Sequence, residues 1–333
     1  MDIRLPYLIF LGAVTSERDA KTGLGVRDWR PEACAGQWRL PGCAVDLGLP
    51  DLGPAAAVAA GARCLLIGVA PVGGQIRPEW VPALVAALAA GLDIVSGMHT
   101  RLGSVPELAE AAAQHGRQLH DVRHADRRFP VGTGVKRPGK RLLTVGTDCA
   151  LGKKYTALAL TRAFTAAGHA ASFRATGQTG IMISGGGIAI DAVVADFVAG
   201  AAESLSPAAA PDHWDIIEGQ GSLVHPGYAA VSLGLLHGSQ PDVMVLCHDP
   251  ARTEIDEYPG FAIPPLDEVM ALHLALARRT NPVARFGGIA LNTAAMGADA
   301  AARLLRAHED RHGLACFDPL RSDLAPVVAA LTA

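Results

Sequence analysis

The sequence predicts an α/β protein of two domains, each a parallel sheet layered with helices. Three observations carry that prediction. From residue 53 to residue 122, short apolar runs of strand length alternate with helix-like stretches, and such alternation implies parallel strands joined by right-handed crossovers. A second apolar run, 142–145, enters a glycine-bounded loop that opens into a helix-like stretch over 157–164. Between the two lies a segment, 129–140, rich in proline, glycine and charge, which is linker composition. The domains are therefore expected at 1–130 and 141–333, joined by a linker over 131–140.

Taken in order, the first domain opens with a buried strand over 7–11 that stops at Gly12. The stretch 21–50 is rich in Gly, Pro, Trp and Arg, and its length without a clear period predicts an irregular, functional segment. A helix over 53–61, a strand over 64–69, a helix over 80–90, a strand over 93–96, a helix over 105–115 and a strand over 118–122 follow. This is a Rossmann-like parallel-sheet domain. Ligands of such sheets lie beyond the carboxyl ends of the strands, which singles out His99 and Arg101 after the 93–96 strand as candidate substrate contacts. Gly73-Gly74, at another strand exit, is explained equally well by a turn.

The second domain is organised around the loop that begins at Gly146. Backbone N–H groups of such a turn and of the helix start converge on one point, and the helix dipole adds partial positive charge there, so the loop predicts a phosphate site. Its candidate ligand-binding residues are Gly146, Thr147, Asp148, Cys149, Gly152, Lys153, Lys154, Tyr155 and Thr156. Lys153 supplies the point charge. The two glycines are separated by five residues rather than the commoner four, and Lys154 stands where a hydroxyl usually ligates Mg²⁺. A second cation there favours a phosphate bound without metal, with Thr156 the one hydroxyl left to reach an ion. Cys149 sits near a helix start and two lysines, which would lower its pKa.

Beyond the loop, a short strand ends in a glycine-punctuated stretch carrying Arg174, Thr176, Gln178 and Thr179. A helix is predicted over 190–198 with Asp191 at its start, either a partner of the helix dipole or a substrate contact. The strand over 214–217 ends in Glu218, followed by Gly219, Gln220, Gly221 and Ser222, with His225-Pro226 beyond; a carboxylate at that strand end belongs beside a phosphate loop. Strands over 243–247 and 286–291 and helices over 266–279 and 298–312 complete the sheet, and Asn292 lies at a further strand exit.

Composition narrows the function. The chain has 333 residues, 50% hydrophobic and 18% charged, enough for two cores. A net charge of -3 gives no basic field for nucleic acid. No stretch approaches about eighteen uncharged apolar residues and the first residues lack the sections of a signal peptide, so no membrane partner and a cytoplasmic location are expected. Six cysteines without C-x-x-C spacing indicate neither a zinc site nor a disulfide framework. Trp29, Trp38 and Trp80 leave room for a homo-oligomer.

The motifs also carry a resemblance. Gly146-Thr147-Asp148 with Gly152-Lys153, and Glu218-Gly219 at the strand end, resemble the dethiobiotin synthetase branch of P-loop NTPase-like proteins, from which Lys154 departs. With Gly97-Met98-His99, the 175–180 stretch Ala-Thr-Gly-Gln-Thr-Gly and the 217–226 stretch, the whole chain resembles a bacterial family long described only as a domain of unknown function, whose members are D-glutamate N-acetyltransferases. The resemblance implies an amino-acid N-acetyltransferase with acetyl-CoA as cosubstrate, no required metal, and an acidic acceptor such as D-glutamate. Acetyl transfer then requires a base, donors for the thioester oxyanion and a cation for the acceptor's carboxylates; the candidates are Glu218 or His225 as base, loop N–H groups or Ser222 for the oxyanion, and Arg174 or Arg101 for a carboxylate, with Thr176, Gln178, Thr179, Asp191, Gln220 and His99 as acceptor contacts. Two rivals are an ATP- and Mg²⁺-dependent kinase or ligase of dethiobiotin synthetase type and a nonenzymatic nucleotide sensor.

Overall fold

The computed structural model describes residues 3–71, 73–124 and 127–333; Met1 and Asp2, where the reading of the N-terminus begins, lie outside them. The chain divides into two compact units, one of residues 1–126 and 178–189 and the other of residues 127–177 and 190–333.

In the first unit the order is β1 (Tyr7–Gly12), α1 (Lys21–Trp29), β2 (Cys34–Arg39), α2 (Pro54–Ala59), β3 (Cys64–Ile67), α3 (Val81–Ala90), β4 (Asp93–Ser96), α4 (Pro106–His115) and β5 (Leu119–Asp121). All strands are parallel, in the order β2-β1-β3-β4-β5. β1 and β3 are wholly buried, as expected of strands covered on both faces. The 21–50 stretch is irregular only beyond Arg39. It holds α1 and β2, and its glycines hid the helix: Gly23 faces Ile9 Cγ2, where a Cβ would stand 3.0 Å away, so the residue that weakens helix propensity is the one that lets α1 lie close to the sheet. Trp80 is 1% and Trp29 9% exposed, and Trp80 and Trp38 both meet Phe10 edge-on. Trp29 and Trp80 belong to the core, whereas Trp38 is only partly buried.

The second unit continues with β6 (Lys140–Gly146), α5 (Lys153–Ala166) and β7 (Ala171–Arg174); α6 (Gln178–Ser184) then joins the first unit. After it come α7 (Val198–Leu205), β8 (Trp214–Ile217), α8 (Ala229–Ser239), β9 (Val243–His248), α9 (Leu266–Ala277), β10 (Arg285–Leu291), α10 (Ala298–His312), β11 (Ala315–Phe317) and α11 (Ala325–Thr332). The sheet is again parallel, ordered β11-β10-β9-β6-β8-β7. From β6 the chain passes to the edge strand β7, returns to β8 beside β6, and then crosses to the other side through β9, β10 and β11. β6 is thus the point where the winding reverses, where open α/β sheets bind ligands. Leu160 and Phe164 of α5 pack on Leu142, Ile216 and Val245 of the sheet, each contributing about 1.5–3 kcal/mol by burial.

Two local expectations are corrected. Residues 190–198 form two single 3₁₀ turns, Ile190–Ala192 and Ala195–Phe197, before α7 starts at Val198, so Asp191 has no α-helix dipole to complement. The 131–140 segment is not a free tether, because it is pinned to its own unit. Thr133 and Gly134 donate backbone N–H groups to the buried Glu203, Arg137 donates to Ser206 and Gly238, and Lys136 pairs with Asp242. No helix among the described residues is long and apolar enough to cross a membrane.

Candidate functional site

At the end of β6 the chain turns sharply. Ala150 and Gly152 take positive φ, +54° and +102°, the left-handed region that lets successive amides face one way, and α5 begins at Lys153. The Lys153 side chain runs between two glycines: a Cβ on Gly146 would stand 3.1 Å from its Nζ, and one on Gly219 would stand 3.0 Å from its Cδ. Gly219 directly follows Glu218. The phosphate loop and the acidic strand end predicted from sequence therefore meet at one lysine.

Lys153 is buried and donates to Asp148 O at 2.6 Å; burial pulls its pKa down, so an anion arriving at the loop restores a charge the free site disfavours. Lys154 stacks its ammonium over Tyr155 at 5.0 Å and lies near enough to Glu218 to oppose that group's rise in pKa. The loop's hydroxyls are occupied by protein. Thr147 Oγ1 pairs with His248 Nδ1 at 2.9 Å, and burial pushes that histidine down to about 4. Thr156 Oγ1 accepts from Cys247 Sγ, on the strand side of α5, so the hydroxyl reserved for an ion is turned into the core.

Both oxygens of Asp148 are engaged by protein. Completely buried, it accepts Cys149 N on Oδ1 and both Arg252 Nη1 (2.7 Å) and Asp256 N (2.8 Å) on Oδ2. It offers one atom to a potential cation set with Cys149 and His225, all within 4.8 Å, but Arg252 and Lys153 already supply positive charge there, and a cation would have to displace Arg252. Cys149 is also corrected: burial outweighs the cations and raises its pKa, so the loop does not activate the thiol.

Glu218 is 4% exposed. Its Oε2 accepts Thr176 N at 3.0 Å and Gly177 N at 3.2 Å, and the Thr176 hydroxyl donates to its backbone O. Gln220 closes the group by donating Nε2 to Thr176 Oγ1 at 3.1 Å. Burial raises the carboxyl from 4.5 to about 6, against the pull of Lys154 and the two amides. A carboxylate titrating there suits a base working near neutrality.

His225, 2% exposed, differs from its expected role as a base. Its Nδ1 accepts the N–H groups of Gly227 and Tyr228 at 3.0 and 3.2 Å, so the neutral ring carries its proton on Nε2, 3.9 Å from Asp148 Oδ1. The imidazole is a donor. Burial lowers its pKa and keeps it neutral. The Ser222 hydroxyl accepts Val224 N within its own turn and is 1% exposed, with its own proton left to donate. Arg174 Nε donates to Asp215 at 2.7 Å, with His213 on the same oxygen; Asp215 lies early in β8, so the guanidinium is drawn away from the strand ends.

The remaining predicted residues separate by unit. Asp191 is exposed on its 3₁₀ turn in the second unit. His99, Arg101, Gln178 and Thr179 belong to the first, where Gly97 lies so close to Gln178 that a Cβ would stand 2.6 Å from it, His99 O accepts His124 Nε2, and Thr179 pairs with Thr22 at 3.1 Å. Sequence reasoning missed Arg252, Asp256 and Tyr258. They lie in the turns between β9 and α9, and their only sequence signal is position after a strand that borders β6.

Two family descriptions match, a Rossmann-like domain (DUF1611_N) over residues 38–125 and a P-loop domain (DUF1611_C) over residues 130–328. The chain belongs to the DUF1611 family. Its relatives include a D-glutamate N-acetyltransferase of Tritonibacter scottomollicae, 48% identical over 99% of both chains, and one of a Pseudoalteromonas species, 44% identical over 99% of this chain and all of the relative. A crystal structure of a DUF1611 family protein from Anabaena variabilis matches with TM-score 0.89 and 34% identity over 99% of each chain. With these family members the chain is an enzyme of the N-acetyltransferase class, on a Rossmann-like domain followed by a P-loop α/β domain.

Proposed function

We propose that this enzyme moves the acetyl group of acetyl-CoA to the amino group of D-glutamate. One observation carries the reading: Lys153 lies between the glycine that opens the phosphate loop and the glycine that follows Glu218, so an anion-binding cation and a buried base of pKa about 6 adjoin. CoA brings a pyrophosphate and a 3′-phosphate, which backbone amides, Lys153 and Lys154 can hold without an ion. The commitment of Thr147 and Thr156 to protein partners supports a loop that works without Mg²⁺.

In the step itself, Glu218 takes a proton from the acceptor's ammonium, and the freed amine attacks the thioester carbonyl. The oxygen that gains charge is met by the His225 Nε2–H and by loop amides, donors held in place before the charge develops. The CoA thiolate leaves as the amide forms and takes up the second proton that the attacking nitrogen sheds, so CoA departs as the free thiol. The donor and D-glutamate as acceptor rest on the chemistry above together with what the two curated relatives are called.

Two measurements test the reading. Calorimetry is expected to show CoA binding equally with Mg²⁺ and with EDTA, and thiol release from acetyl-CoA is expected to be fastest with D-glutamate among D- and L-amino acids. Binding of ATP only with Mg²⁺, together with no thiol released by any acceptor, overturns it in favour of a kinase, ligase or sensor.

A further inference from the structure

The turns between β9 and α9 make contacts with the phosphate loop that acyl transfer alone does not explain. Arg252 donates Nη1 to both Asp148 Oδ2 (2.7 Å) and Cys149 O (2.8 Å), and four residues on Asp256 N reaches the same carboxylate oxygen. These bonds staple the segment to the loop. Beyond the staple, Tyr258 N donates to Ile255 O, Ile255 is buried, and the Tyr258 ring stands edge-on to His225 at 4.8 Å and 75°. The Tyr228 ring also packs against the imidazole, with ring centroids at 4.5 Å.

The Tyr258 hydroxyl also reaches Gly227. A Cβ there would stand 2.7 Å from it, so only glycine lets the tyrosine lie over the peptide whose N–H groups, from Gly227 and Tyr228, enter His225 Nδ1. The remaining oxygen of Asp148, Oδ1, lies 3.9 Å from His225 Nε2, and a carboxylate on that side favours the N–H form of that nitrogen. One side chain of the phosphate loop thereby holds the turn that carries Tyr258 and faces the imidazole itself.

We propose that Asp148, Arg252 and Tyr258 are positioning residues that hold the His225 imidazole as an Nε2–H donor turned toward the phosphate loop. None of the three meets the reacting atoms. Their effect passes through the ring of His225, and only the kinetic arm of the proposal rests on acetyl transfer.

The test uses the full chain with ¹⁵N-labelled histidine. Long-range proton–nitrogen spectra report which ring nitrogen carries the proton, and among the 12 histidines the His225 signal is identified by its loss in His225→Gln. The wild type is expected to show the Nε2–H pattern, and Arg252→Gln and Tyr258→Ala a mixture of both forms. In the same variants kcat is expected to fall about 10- to 100-fold, as for a misplaced group, with KM for acetyl-CoA within about threefold. Arg252→Lys and Tyr258→Phe should keep both signatures near wild type. An unchanged His225 pattern in Arg252→Gln and Tyr258→Ala overturns the proposal, as does a changed pattern with wild-type kcat or a rise in KM alone. A changed pattern in a protein whose wild type releases no thiol leaves the positioning network standing and removes the acyl-transfer reading.

Discussion

At the scale of single residues, Glu218 decides the most. Its folded pKa of about 6 lies above the ordinary 4.5, so the folded state holds this proton more tightly than the unfolded chain. Folding therefore carries a cost that is absent below pH 4.5, grows between 4.5 and 6, and is full above 6. The difference corresponds to about 2 kcal/mol. Glu218→Gln, whose amide oxygen can still accept from Thr176 and Gly177, is expected to raise Tm at pH 8 and leave it unchanged at pH 4.5. The same variant should lose acetyl transfer by about 10²- to 10⁴-fold, the range for a general base, and wild-type kcat/KM should fall as pH drops through about 6. A Tm that rises equally at both pH values would show that the carboxylate is not carrying the charge.

Much of this residue-level site is legible in sequence, because strand, glycine, lysine and helix must occur together to build a phosphate cradle, and a carboxylate at the neighbouring strand end has few other uses. What is not legible is direction. His225 reads equally well as base or donor until two backbone amides are seen entering its Nδ1, and Asp148 reads as a ligand residue until Arg252, more than a hundred positions away, is seen to occupy it.

At the scale of elements, α5 ties the loop to the core. Phe164, fully buried, meets Trp214 at 5.2 Å and His169 at 5.5 Å. Phe164→Ala is expected to lower stability by about 3–5 kcal/mol, measured as a shifted urea midpoint with little change in KM, since the residue lies about three helical turns beyond Lys153. Strands 64–67 and 93–96 are legible from the apolar residues Leu65-Leu66-Ile67 and Ile94-Val95, each following a helix-like stretch. α1, α7 and α8 are not, because each is built around glycines at close crossings: a Cβ on Gly238 of α8 would stand 2.1 Å from Ala199 O of α7. Composition that reads as loop is there the condition for backbone contact.

For the molecule as a whole, the two parallel sheets follow from alternation, whereas the assignment of residues to units does not, since it depends on pairings no local pattern records. The 131–140 segment has tether composition, yet Glu203, Ser206 and Asp242 bind it. Limited trypsin digestion of the native protein is expected to spare Lys136 and Lys140 until global unfolding, because cleavage requires local opening; early cuts at these lysines would show the anchoring to be weak.

Helix α6 packs on α1 although it is encoded some 150 positions later, inside the P-loop half of the gene product. A ribosome that has finished the first 126 residues has therefore made every strand of the N-terminal sheet but not the piece that completes its packing. The nascent chain must wait, with one helix face uncovered, until residues 178–189 emerge, so maturation of the earlier half is timed by translation of the later one.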